Sequence, residues 1–209
     1  MLTDSSVRTL LEPFGLELTT EQVSQLLAYL ELLLRWDQRI NLTAIRNPEE
    51  CVTRHFGESL YISKLLKLEG SLLDVGSGAG FPGLALKIVF PTISATLLEP
   101  IAKKRAFLKE VARACAMNSV EVRTERIEEF SAQKQSFETV TARAIGKLEW
   151  LIPTAASFLK PGGRVCLWLS LRQVQALIRS KASLRWSDPV PLPLSRQRVI
   201  LVGEYCAPV

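Results

Sequence analysis

Histidine is nearly absent from this chain: His55 stands alone among 209 residues. A Ser-His-Asp triad or a Cys-His pair would have to recruit it, and no nucleophile motif is present to do so. Cysteine is sparse too. Cys51, Cys115, Cys166 and Cys206 lie far apart and form no CxxC or Cys/His cluster, so no metal site is expected. Unpatterned cysteines also fit a reducing compartment. No apolar run approaches the ~20 residues a bilayer-spanning helix needs. The opening MLTDSSVRTLLEPFG shows no basic leader ahead of an apolar stretch, so a cytoplasmic protein without a membrane partner is expected. Acidic residues run slightly short, 21 against 26 Lys plus Arg, for a net charge of +5. That excess permits attraction to a polyanion through counterion release, and by itself establishes none.

What is present divides into two styles of sequence. Up to about residue 68 the periodicity is helical. In TTEQVSQLLAYLELLLRW, Val23, Leu26, Leu27, Leu30, Leu33 and Leu34 recur on one face, and Thr19 with Gln22 has capping-box spacing. Residues 48–68 predict a second helix, bounded or interrupted near Gly57. From residue 71 short apolar strands alternate with helices: strands over 71–75, 93–98, 119–123, 138–142 and 164–169, and helices near 83–89, 101–116, 147–158 and 171–180. Pro161-Gly162-Gly163 reads as a tight helix-to-strand turn, and PVPLP (189–193) as an extended connection. A last strand over 198–203 completes the sheet, with an antiparallel sense open to it. This alternation predicts an α/β fold, a mostly parallel sheet with helices on both faces. The expected organisation is an N-terminal helical extension, 1–68, followed by a catalytic domain, 69–209.

The decisive segment is LLDVGSGAGFPGLAL, 72–86. An apolar strand carries Asp74, then Gly76-Ser77-Gly78-Ala79-Gly80 turns sharply, and Phe81-Pro82-Gly83 opens a helix. Ligands of open α/β sheets bind beyond the carboxyl ends of the strands, where this turn would sit. A dinucleotide fingerprint, GxGxxG, fails from Gly76 because Phe81 takes the third place, and is partly rescued from Gly78 by Gly83. The GxGxG form after an acidic residue instead looks like the S-adenosylmethionine motif, which seats no phosphate. Asp74, Gly76, Gly78, Gly80 and Phe81 are therefore candidate cofactor residues; the plain alternative is a structural glycine turn. Glu99 ends the next strand, where a carboxylate can accept both hydroxyls of an adenosine ribose. LKPGGRVCLWL, 159–169, resembles the turn and strand that close the sheet in S-adenosylmethionine-dependent methyltransferases.

Longer pieces carry a more specific resemblance. RWDQRINLTAIRNPEE (35–50), RHFGESL (54–60), the 72–86 turn, LLEPIAKKRAFL (97–108), ERIEEF (125–130) and TARAIGKLEWLIP (141–153) occur in an order that resembles the bacterial small-subunit rRNA guanine-N7 methyltransferases, the RsmG or glucose-inhibited division protein B family. The resemblance implies a class I S-adenosylmethionine-dependent, Rossmann-like methyltransferase acting on N7 of a guanine in 16S rRNA near the decoding site. It implies cofactor contacts at Gly76, Phe81, Ile127, Glu128 and Arg143. Three departures stand out. Glu58-Ser59 replaces the usual Asp-Ser, Phe137-Glu138 replaces Phe-Asp, and Trp168-Leu169-Ser170 stands where members often carry Lys-Gly.

Guanine N7 offers an in-plane lone pair and no proton, so direct attack on a sulfonium methyl needs no general base, and no catalytic base is assigned. ARAIG stands after the fourth strand where an exocyclic-nitrogen enzyme would show a motif such as NPPY. Arg143, at that strand end, can hold the cofactor carboxylate, a phosphate or guanine O6; the plain alternative is a solvent-exposed arginine. Arg126 beyond the third strand, Lys103-Lys104-Arg105 in the first turn of a helix, and Arg196 and Arg198 before the last strand are candidate RNA contacts. The three at the helix start oppose its macrodipole, which suggests a phosphate partner; the plain alternatives are a solvated charged face there and a solvated helix-start arginine at Arg126. His55 is expected to be a capping or hydrogen-bonding residue, and Trp36 part of the core. The expected partner is 16S rRNA or the small ribosomal subunit, with the chain acting as a monomer. Two alternatives stay open: a methyltransferase for a small molecule or protein, and a non-catalytic RNA-binding protein on the same scaffold. A nicotinamide oxidoreductase is a third, weakened by Phe81.

Overall fold

The computed structural model describes residues 2–130, 134–146, 148–177 and 184–206. Short runs buried on both faces can be satisfied only inside a covered parallel sheet, and β1 (Ser71–Val75), buried from Leu72 to Val75, is its centre. Its neighbours are β2 (Ser94–Leu98) and β4 (Phe137–Arg143), both parallel to it. Outside these lie β3 (Val120–Arg123) and β5 (Leu159–Ser170), also parallel. β8 (Arg198–Tyr205) pairs antiparallel with β5, and β6 (Leu184–Trp186) and β7 (Val190–Pro191) pair antiparallel with β8. The order β3-β2-β1-β4-β5-β8-β6 reverses direction between β1 and β4. That reversal leaves a crevice at the carboxyl ends of these two strands, the place such sheets offer a ligand.

Helices cover both faces. On one side α1 (Asp4–Leu11), α2 (Thr20–Ile40), α5 (Gly83–Val89) and α6 (Ala102–Ala114) bury Val23, Leu26, Tyr29, Leu33, Leu84, Phe107 and Leu108 in one cluster. The segment before residue 68 thus shares its core with the sheet. On the other side α7 (Leu148–Phe158) and α8 (Leu171–Leu177) pack Leu151, Ile152 and Val174 against Leu73, Val140 and Leu167. The predicted capping box is present, with Gln22 N–H donating to Thr19 Oγ1 and Thr19 N–H to Gln22 Oε1.

Several boundaries differ from the expected ones for local reasons. α3 (Pro48–Glu50), a π-helical stretch Cys51–Gly57, α4 (Glu58–Leu60) and a 3-10 turn Tyr61–Lys64 follow one another without a break. Gly57 does not interrupt this rod. It makes room for Phe14, whose ring would lie 2.6 Å from a Cβ at that position. Pro161-Gly162-Gly163 does not end α7 either. Pairing begins at Leu159 with Phe137, and residues 160–163 bow out before Arg164 pairs with Thr139. The 189–193 stretch contributes the short strand β7. The departure at Glu138 is structural, since its Oε2 accepts the Ser71 N–H at 2.7 Å and Lys160 pairs with Oε1. Lys147 and residues 178–180, at the ends of two predicted helices, lie outside the described residues. No helix among the described residues is long and apolar enough to cross a membrane.

Candidate active site

The chain leaves β1 through Gly76, Gly78 and Gly80 at φ of +67°, +55° and +86°, the left-handed region that costs glycine nothing. Gly80 is required for a second reason. A Cβ there would stand 2.2 Å from the Tyr29 hydroxyl, which donates to the Ala79 carbonyl at 2.5 Å. Ser77 N–H donates to Leu98 O at 3.0 Å and Gly80 N–H to Ser77 O at 2.6 Å, closing the turn on itself. Gly78 N–H donates to Glu99 Oε2 at 2.9 Å, and Glu99 Oε1 accepts from Ile101 N–H at 2.8 Å. The acid at the end of β2 is thereby fixed against the turn, and each oxygen keeps a second lone pair.

Beside this turn a cavity of about 180 Å³ is lined by Val75, Gly76, Leu98, Pro100, residues 125–128, Ile145, Trp150 and Leu151. It brings together Gly76, Ile127 and Glu128, three residues implied by the resemblance, and places exposed Arg126 at its wall. A larger groove of about 630 Å³ runs along α2 past Leu27, Glu31, Leu34 and Pro48, and none of the candidate residues lines it. Asp74 lies elsewhere. It is 0% exposed, Oδ1 accepts from Thr141 Oγ1 at 2.7 Å, and Oδ2 packs against Gly83, where a Cβ would come within 2.7 Å of it. Burial pushes its pKa up to about 6, against the pull of hydrogen bonds from Thr141, Ser77 and the Gly83 backbone. In this conformation Asp74 braces the turn from within. Phe81 also faces inward, its ring stacked between Tyr29 and His55 at 5.2 and 4.8 Å and meeting the edge of Phe56.

Arg143 is not a solvent-exposed arginine. Its Nη2 donates to Glu58 Oε2 at 3.0 Å and Arg54 O at 2.6 Å, and its Nη1 to Ser59 Oγ at 2.9 Å and His55 O at 3.4 Å. Burial pushes its pKa down to about 10, so the guanidinium stays charged at neutral pH. Glu58, 1% exposed, also meets Arg54 Nε at 3.2 Å and Arg198 Nη2 at 2.7 Å. One carboxylate therefore anchors three cations from the π-helical rod, β4 and β8. Trp168, in the segment that departs from the family pattern, donates its indole N–H to the Glu58 carbonyl at 2.7 Å. Arg198 is consequently bound to protein rather than open as an RNA rim. Arg105 donates to the carbonyls of Glu99 and Pro100 at 3.0 and 2.6 Å, holding the end of β2. Lys103 and Arg196 are exposed and Lys104 half-exposed.

His55 is a hydrogen-bonding residue, paired through Nε2 with Thr43 Oγ1 at 2.7 Å. Burial, then the charges of Arg143 and Arg54, push its pKa down to about 3. Trp36 packs partly buried on Phe107, with its indole N–H on Glu110. Two residues of this site stand outside the sequence candidates: Tyr29, whose signal is a phenol inside a leucine stripe, and Glu58 in its ion-pair role, for which no local signal exists.

Residues 22–186 match the family described as rRNA small subunit methyltransferase G. A ribosomal RNA small subunit methyltransferase G from Chloroflexus aggregans is 39% identical over 171 residues, 78% of this chain and 72% of that relative. Another, from Alkaliphilus metalliredigens, is 39% identical over 157 residues, 73% of this chain and 66% of that relative, just under two thirds of its length. Among solved structures, a SAM dependent methyltransferase from Aquifex aeolicus matches with a TM-score of 0.61 at 14% identity, covering 78% of this chain and 96% of that one. At that identity the likeness speaks for the fold, which is the class I S-adenosylmethionine-dependent methyltransferase fold.

Two substitutions test the electrostatics. Glu58→Gln leaves three buried or half-buried guanidiniums without their anion and is expected to lower unfolding free energy by about 3–5 kcal/mol in urea titration; a change below about 1 kcal/mol contradicts this account. For His55 the folded pKa lies below the ordinary 6.5, so the unfolded chain binds the extra proton and stability is lost as pH falls from 6.5 towards about 3. Asp74, raised from 3.8 to about 6, contributes the opposite slope between those values. That slope is common to native and variant chains. His55→Gln should therefore make the variant's stability rise less steeply with pH, by up to ~1.4 kcal/mol per unit between about 4 and 6. Parallel curves would remove the buried neutral imidazole from the account.

Proposed function

Because this chain belongs to the rRNA small subunit methyltransferase G family, we propose that it methylates N7 of a guanine in 16S rRNA near the decoding site, with S-adenosylmethionine as donor. The observation that carries the reading is the meeting of Gly76, Ile127 and Glu128 in one strand-end cavity, with Glu99 fixed at the adjoining turn. The residues fit the donor. Leu98, Pro100, Ile127 and Leu151 offer apolar walls to a purine, and Glu99 offers its remaining lone pairs to ribose hydroxyls. Bound there, the donor supplies an electrophilic sulfonium methyl.

The chain's own work is alignment. Guanine N7 carries no proton, so the attacking atom needs no base. His55 is held neutral against Thr43 and Phe81, and Asp74 is covered by the turn. Holding nucleophile and methyl in line can supply ~7–11 kcal/mol in well-oriented systems. Arg143, with both terminal nitrogens committed to the rod, fixes the end of β4 beside the donor's cavity without lining it. RNA phosphates are assigned to Lys103, Lys104, Arg126 and Arg196; Arg105 and Arg198 act by holding strand ends. The substrate is 16S rRNA or the small ribosomal subunit, and the chain acts as a cytoplasmic monomer.

Mass mapping of 16S rRNA from cells lacking the gene should show one N7-methylguanine lost and restored by the intact gene. An unchanged methylation map contradicts the proposal. In calorimetry, Glu99→Gln should weaken S-adenosylhomocysteine about tenfold or more, since a charge-assisted bond to a hydroxyl is lost. Equal affinity would reject the ribose assignment.

A further inference from the structure

α7 begins just past the end of β4 and buries Leu148, Leu151, Ile152 and Ala155. Trp150 lies off that stripe and is 42% exposed, yet it lines the strand-end cavity. The protein's other tryptophans have structural partners. Trp36 and Trp168 donate their indole N–H to Glu110 and to the Glu58 carbonyl, and the Trp186 ring lies against Gly203, where a Cβ would come within 2.7 Å. A single exposed apolar residue needs no explanation. Here, however, the large apolar side chains exposed among the described residues are Ile101, Trp150, Leu171 and Leu194, and of the four Trp150 lines this cavity. Trp150 stands in its wall, and Ile101 follows the lining residue Pro100.

The cavity has apolar walls from two sources: Leu98 ending β2, Pro100 after it and Ile127 after β3, and Ile145, Trp150 and Leu151 after β4. Walls of that kind suit a flat, aromatic guest. An indole at the open side gains little from the protein in its present surroundings, and would be covered by such a guest. Resting on the cofactor reading above, we infer that Trp150 is an aromatic lid that stacks on the purine of the bound nucleoside and sets the affinity of this chain for it. No bond is made or broken at Trp150; it is a positioning residue.

The test is titration of the full chain with S-adenosylhomocysteine, followed by tryptophan emission and calorimetry, beside Trp150→Leu and Trp150→Phe. Emission of the native chain should change saturably with ligand, and the change should vanish in both variants, because Trp36, Trp168 and Trp186 do not line this cavity. Trp150→Leu should bind about tenfold more weakly, the scale of one lost base–aromatic stack. Trp150→Phe, which keeps a ring, should restore most of the affinity while remaining silent in emission. Because the side chain is partly exposed, unfolding midpoints should stay close to native. Undiminished affinity in Trp150→Leu overturns the inference and leaves the cofactor reading standing. Undiminished affinity with impaired rRNA methylation also overturns it, placing the indole against an RNA base. No calorimetric binding by the native chain would remove the cofactor reading as well.

Discussion

The hydroxyl of Tyr29 reaches from the middle of α2 to the carbonyl of Ala79, fifty positions along the chain, and the shape of the ligand-side turn follows from that contact. The phenol is fully buried, and burial raises its pKa well above the ordinary value, so it remains a donor. Gly80 lacks a Cβ where the phenol oxygen needs the space. The same ring lies parallel to Phe81, whose other neighbours, His55 and Phe56, come from the π-helical rod. The turn that defines the site is therefore clamped from behind by the N-terminal helices. Those helices are part of the machinery that shapes it.

A second tie works at the same end of the sheet by charge. Glu58 draws Arg54, Arg143 and Arg198 to one buried point. Such a cluster is weak evidence for net stability, because desolvating the ions offsets much of their attraction. Its value here is geometric: the ends of β4 and β8 and the rod can meet in only one arrangement that satisfies the carboxylate. Trp168 completes that arrangement with an indole hydrogen bond, which gives the unusual Trp168-Leu169-Ser170 sequence a physical role.

Much of this was legible in the residues. Strand runs such as Ser71–Val75 and the Thr19–Gln22 cap obey local rules of burial and backbone hydrogen bonding, and the GxGxG turn and Glu99 follow from where a parallel sheet presents its strand ends. What escaped depends on contacts distant in sequence. Arg143 and Glu58 are 85 positions apart and Arg198 and Glu58 are 140 apart, so nothing in local periodicity marks Glu58 as an ion-pair hub or removes Arg198 from the exposed rim. The bulge at Pro161-Gly162-Gly163 escaped because proline and glycine signal a change of direction without saying whether it ends a helix or interrupts a strand. Asp74 looked ligand-facing because strand alternation is uninformative where both faces are buried.

The central claim is that the ligand-side turn owes its conformation to Tyr29, a residue outside the cavity it shapes. The most direct measurement is the affinity of Tyr29→Phe for S-adenosylhomocysteine by calorimetry at a temperature where the variant is folded. The substitution removes one oxygen and leaves the Ala79 carbonyl without its buried donor, a loss of about 1–3 kcal/mol. The account predicts affinity reduced by about fivefold or more, although the altered atom does not line the cavity. Native affinity in a folded Tyr29→Phe chain would contradict it.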